Sequence, residues 1–150
     1  MTTTADAKLA LPTEIGGKPI LINVTLPVPF ERITNCITGA IEGGSGYWCN
    51  TFVPLPASSD IKADIRERGG IWYDETEFWE RGGGAHVEFD KPTDTDPGFR
   101  DIGRADLERG LTKMAEIAPR HFADLINEND DATTHDVFLQ CVLFGEIIFG

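Results

Sequence analysis

Positive charge is scarce in this chain. Against 25 aspartates and glutamates stand only 13 lysines and arginines, a formal net charge of -12. A surface that tracks a phosphate backbone needs clustered cations, so direct nucleic-acid binding is not expected. Cysteine is also sparse. Cys36, Cys49 and Cys141 are odd in number and show no C-x-x-C spacing, which argues against a disulfide framework and points to reduced, buried thiols in a cytosolic protein. His86, His121 and His135 are scattered without metal-ligand spacing, so neither a metal nor a cofactor is expected. No apolar run is long enough to span a bilayer, and no signal peptide is visible. The glycine-rich EGGSGYW lacks the GK[ST] of a phosphate-binding loop. Asp94 and Asp96 alternate but lack the glycine and terminal glutamate of a calcium loop. No nucleophile–base pair can be named, and no catalytic residue is assigned.

The longest nearly unbroken apolar run is DVFLQCVLFGEIIF, Asp136 to Phe149. Val137, Cys141, Phe144 and Ile148 recur at helical spacing, and Phe138, Val142 and Phe149 line a neighbouring stripe. A helix apolar nearly all round is a buried one. Thr133-x-x-Asp136 resembles a capping box at its start.

Residues 1–18 read as a flexible tail, and 19–150 as a single domain. Alternation over Pro19 to Val28 predicts a first strand. Ile33, Ile37, Ala40 and Ile41 predict a helix over Phe30 to Ile41, stopped by Gly43-Gly44. Tyr47 to Val53, Ile71 to Glu80 and Ala85 to Phe89 read as three further strands, the last two joined through an RGGG hairpin turn. Asp90 to Gly103 reads as an acidic loop. Arg104 to Ala118 reads as a helix weakened at Gly110 by roughly 1 kcal/mol relative to alanine, and Phe122, Leu125 and Ile126 continue an apolar face beyond Pro119. The expected fold is α+β: an antiparallel sheet of about four strands covered by helices, with a buried C-terminal helix.

Binding is better supported than chemistry. Gly43 and Gly44 would let backbone amides approach an anion. Tyr47 and Trp48 offer flat faces for stacking a base. Arg104 and Arg109 lie at a predicted helix start, where phosphate is favoured, and Lys113 follows one turn later. Arg81 flanks the RGGG turn. Together these residues are candidates for a pocket that takes a small anionic ligand. Each also has a plainer reading: EGGSGYW as helix stop and core anchor, and the arginines as surface ion-pair partners.

EGGS-x-YW after the first helix, combined with DVFLQCVLFGEIIFG at the C-terminal end, resembles small acidic proteins encoded by bacteriophages and prophages. The resemblance runs from Ile20 to Gly150 and is weakest over Pro54 to Gly70. It extends to phage anti-defence proteins that counter the Thoeris system. It implies a non-enzymatic α+β protein in the cytoplasm of a bacterial host. Such a protein would assemble as a homo-oligomer (dimer or hexamer) and sequester a cyclic nucleotide signal, either a cyclic ADP-ribose isomer or a cyclic oligonucleotide. Gly46 departs from the GSN of the phage signature, which removes a polar contact at that position. The charge supports a rival reading, an acidic nucleic-acid mimic that inhibits a host defence protein. A small nucleotide-directed enzyme is the third reading.

Overall fold

The computed structural model describes Thr2 to Ala5 and Gly17 to Gly150, with side chains from Gly17 onward. Most of the tail expected over residues 1–18 lies outside the described residues. Within it, Thr2–Ala5 forms a strand, β1, paired antiparallel with β2 (Val24–Pro27). The first strand is therefore much shorter than the alternation suggested. Ile20, Leu21 and Ile22 are exposed and have no ladder partner among the described residues.

The main sheet has three strands, not four. β3 (Cys49–Pro54), β4 (Ala85–Phe89) and β5 (Phe99–Ile102) lie side by side in that order, all antiparallel. The register between the first two shifts between Cys49 and Thr51. Along β4, Ala85, Val87 and Phe89 are buried while His86 and Glu88 face outward, the period of two that sets one face on a core. Helices cover that face, so the class is α+β.

Two sequence expectations fail here for physical reasons. Ile71 to Glu80 is not a strand. It forms a 3-10 turn (Trp72–Asp74) and then α3 (Thr76–Glu80), and RGGG links this helix to β4. Phe78 and Trp79 are adjacent and both fully buried. Neighbours in a strand point to opposite faces, whereas neighbours in a helix can both reach one core. The acidic loop is also shorter than expected, because β5 occupies its end. Only Ile102 of that strand is buried. The hairpin is held instead by Asp96, which accepts hydrogen bonds from both guanidinium ends of Arg100 (3.0 and 2.8 Å) and from the Gly98 amide (2.9 Å).

The remaining helices are α1 (Phe30–Gly39), α2 (Ser59–Glu67), α4 (Arg104–Ile117), α5 (Pro119–Ile126) and α6 (Ala132–Phe144). Every residue of α6 from Asp136 to Leu143 is buried, and α1, α4 and α5 pack around it. Its N-cap is Asp131, whose carboxylate accepts from the Thr134 amide at 3.0 Å; the Thr133–Asp136 box expected from the sequence does not form. The helix ends five residues earlier than the apolar run, because Gly145 takes the left-handed conformation (φ 69°) that turns a chain out of a helix. No helix among the described residues is long and apolar enough to cross a membrane.

Gly110 is a contact point rather than a weakness. A Cβ there would lie 2.4 Å from Val142 Cγ2 and 2.6 Å from Val142 Cα. Alanine would improve helix propensity but force α4 away from the buried helix. Gly110→Ala is expected to lower unfolding stability by about 1–3 kcal/mol in urea denaturation. A gain in stability would contradict this packing.

Candidate functional site

The end of α1 continues without a break into a single π-helical turn, Ala40–Gly44, closed by the Ser45 amide donating to the Ala40 carbonyl at 2.9 Å. That turn delivers Ser45, Tyr47 and Trp48 to one point on α6. There Asp136, 7% exposed, accepts four hydrogen bonds. Ser45 Oγ (2.8 Å) and Trp48 Nε1 (2.7 Å) donate to Oδ1, and Tyr47 OH (2.5 Å) and Gln140 Nε2 (3.2 Å) donate to Oδ2. A buried carboxylate costs several kcal/mol unless its lone pairs are met, and here all are used.

Gln140, one turn along α6, spends its whole amide in the same way. Its Oε1 accepts from the Ile148 and Phe149 amides (2.7 and 2.8 Å), and its Nε2 also donates to the Phe149 carbonyl at 3.1 Å. The segment after Gly145 is thereby folded back, and the Phe149 ring stacks on Trp48 (5.2 Å between centroids, 6° between planes). Phe89 and Phe144 complete the aromatic cluster. Gly44 permits the close approach of turn and helix, since a Cβ would fall 2.5 Å from the Ala132 carbonyl oxygen.

Above this network is a groove of about 530 Å³. Gly43, Gly44 and Tyr47 line it from the turn, His121 from α5, Thr133, Asp136 and Gln140 from α6, and Ile147 from the segment after α6. The volume is in the range of small-molecule sites. Tyr47 is 56% exposed and presents its ring to the groove while its hydroxyl is tied to Asp136. Another hollow, about 610 Å³, lies over α2 between Pro54, Ser59, Lys62 and Arg66, with none of the candidate ligand residues in its lining.

The structure brings together three of the eight candidate ligand residues, Gly43, Gly44 and Tyr47, and sets Trp48 immediately behind them. Trp48 has no free face: it is fully buried and already stacked. Gly43 and Gly44 lie inside a helical turn, where amides bond back along the helix, so they do not form an open anion nest. The four cations lie elsewhere, each with a carboxylate. Arg81 bridges Asp64 and Glu77 (2.9 Å each) between α2 and α3. Arg104 pairs with Glu108 at 3.2 Å, its guanidinium over the Phe30 ring; Arg109 pairs with Asp106, and Lys113 with Glu116 at 3.3 Å. Sequence reasoning missed Ser45, Asp136 and Gln140. The available signal was a carboxylate followed one turn later by an amide inside an otherwise apolar helix, since buried polar groups need partners.

Reactive thiols are not part of this site. Burial pushes Cys49 up to about 11 and Cys141 up to about 12, and raises Cys36 further still. The one group of side chains among the described residues with metal-binding potential is Cys36, Asp130 and His135, whose ligand atoms lie within 4.8 Å of one another. The scattered histidines of the sequence gave no sign of it.

No family model matches this chain, and no curated protein or solved structure matches it either.

Desolvation, followed by the bond to Asp136, pushes Tyr47 from 10.0 up to about 12. Because the folded value is raised, the associated stability is complete below pH about 10 and is lost as pH rises towards 12. With Tyr73→Phe leaving Tyr47 as the sole tyrosine, ultraviolet titration should give a tyrosinate midpoint near 12. A midpoint near 10 would contradict the Asp136 contact.

Proposed function

We propose that this protein binds a cyclic nucleotide in the Tyr47 groove and holds it without turnover, as a phage anti-defence protein sequestering an immune signal in the cytoplasm of its bacterial host. One observation carries the reading. The EGGSGYW and C-terminal signatures, far apart in sequence, converge on Asp136 and together build one groove with an exposed aromatic wall. Tyr47 offers its face to a base, and the hydroxyl and imidazole of Thr133 and His121 suit a ribose. The ionisable groups beneath favour holding over reacting: Asp136 is saturated with donors, and Tyr47 keeps its proton at neutral pH.

In this reading the phosphates lie at the mouth of the groove. They are neutralised by Arg104 and Arg109 from α4 of a neighbouring copy in a homo-oligomer, because the same chain's arginines do not reach. Enclosure between copies would desolvate the phosphates and strengthen those contacts.

The test is a calorimetric titration against cyclic ADP-ribose isomers and cyclic di- and trinucleotides, with mass spectrometry of the recovered ligand. One of these compounds should bind and return intact. Tyr47→Ala should weaken it about tenfold, since stacking on one base is worth roughly 1–3 kcal/mol. Tyr47→Phe, which keeps the ring, should retain most of the affinity. Arg109→Glu should weaken binding together with the oligomer-dependent contact. Absence of binding by every compound, or a ligand returned cleaved, would overturn the proposal.

A further inference from the structure

We infer that Cys36, Asp130 and His135 form a zinc-binding site that ties α1 to the start of α6. The three side chains come from separate places in the sequence: mid-α1, the loop before α6, and the first turn of α6. Their ligand atoms all lie within 4.8 Å of one another, and His135 Nε2 is 2.6 Å from Asp130 Oδ2. Zinc bonds of about 2.0–2.3 Å set neighbouring tetrahedral ligand atoms roughly 3.3–3.8 Å apart, so small side-chain rotations suffice to close the site. One sulfur, one nitrogen and one oxygen donor suit a borderline-soft ion such as Zn²⁺ better than Mg²⁺ or Ca²⁺, which prefer oxygen alone. Three protein ligands leave a fourth position for water.

A second feature of the fold points the same way. The His135 imidazole is seated in a notch on α1 made by Gly39, where a Cβ would fall 1.9 Å from Nδ1. Gly39 is three residues after Cys36, so the notch and the thiol share a face of the helix. The ring is thus held beside the sulfur by backbone. Enclosure is uneven: Cys36 is fully buried, whereas the side chains of Asp130 and His135 are each 17% exposed, giving an ion a way in.

Charge is also accounted for. Binding expels the Cys36 proton to solvent, and the resulting thiolate and the Asp130 carboxylate together balance Zn²⁺. The Cys36 thiol is fully buried beside Asp130. Arg32, the cation near the sulfur, is occupied by an ion pair with Glu128. A nucleophilic role for this Cys–His–Asp group is disfavoured by the same burial, because no substrate atom reaches a fully enclosed sulfur.

The full chain, stripped with a chelator, should take up one equivalent of Zn²⁺ and gain thermal stability on doing so. Co²⁺ in its place should give a thiolate-to-cobalt charge-transfer band in the near ultraviolet. Cys36→Ser should abolish that band and weaken Zn²⁺ at least tenfold, whereas Cys49→Ser and Cys141→Ser should leave both unchanged. If Cys36→Ser fails to fold by circular dichroism, Asp130→Asn serves as the test; it should keep the band and weaken Zn²⁺ at least tenfold. Failure of the stripped protein to take up Zn²⁺, a band that survives in Cys36→Ser, or unchanged affinity in Asp130→Asn would overturn the inference. Rapid alkylation of Cys36 in the folded protein would do so too, in favour of a nucleophile.

Discussion

A single buried carboxylate organises this molecule. Asp136 sits on the most enclosed helix, where an ionised side chain is unfavourable by several kcal/mol unless it is fully hydrogen-bonded. Its requirements fix what surrounds it. Ser45, Tyr47 and Trp48 must leave α1 through a tight turn to reach it, and Gln140 must lie one turn along α6. Hydrogen bonds to a charged group contribute roughly 1.5–3 kcal/mol each, so the network offsets its own desolvation only as a set. A half-satisfied network would be less favourable than an apolar core in the same place.

The consequences run outward from that point. Gln140 fixes the backbone of Ile148 and Phe149, which places the Phe149 ring on Trp48 and closes the aromatic cluster against Phe89 of the sheet. The helix end, the π turn and the sheet are thereby joined through side chains rather than through backbone ladders. The groove is what remains between the turn and the helix once these contacts are made. Of the four side chains that donate to Asp136, Tyr47 is the exposed one, and it lines the groove.

Much of the fold was legible in the sequence. Apolar periods identified α1, α4, α5 and α6, alternation identified β4, and the strand read over Tyr47 to Val53 contains most of β3. The period failed where one residue's neighbour was also buried, as with Phe78 and Trp79, and where a strand had only one inward residue, as with Ile102 of β5. The site was half legible. Gly43, Gly44 and Tyr47 line the groove, but Trp48 turned out to serve the core. Within one chain the cations lie apart from the groove, because Arg104–Glu108, Arg109–Asp106 and Lys113–Glu116 are paired along one helix, the ordinary fate of a lysine or arginine in so acidic a chain. Asp136 was read as a helix-start residue when its burial required partners from distant sequence. The Cys36–Asp130–His135 group had no local spacing to betray it, because the docking of α6 on α1 alone brings its members together.

The central claim is that the turn and the C-terminal helix are coupled through Asp136. A double-mutant cycle measures that most directly: Trp48→Phe, Asp136→Asn and the pair, each unfolded in urea. Phenylalanine keeps the aromatic stack and removes only the donor, and asparagine keeps the shape and removes the charge. The account predicts a coupling energy of about 1.5 kcal/mol or more, as expected for a charge-assisted bond inside a buried network. Additive effects within about 0.5 kcal/mol would mean that the two signatures merely touch, and the carboxylate would lose its place as the organising constraint.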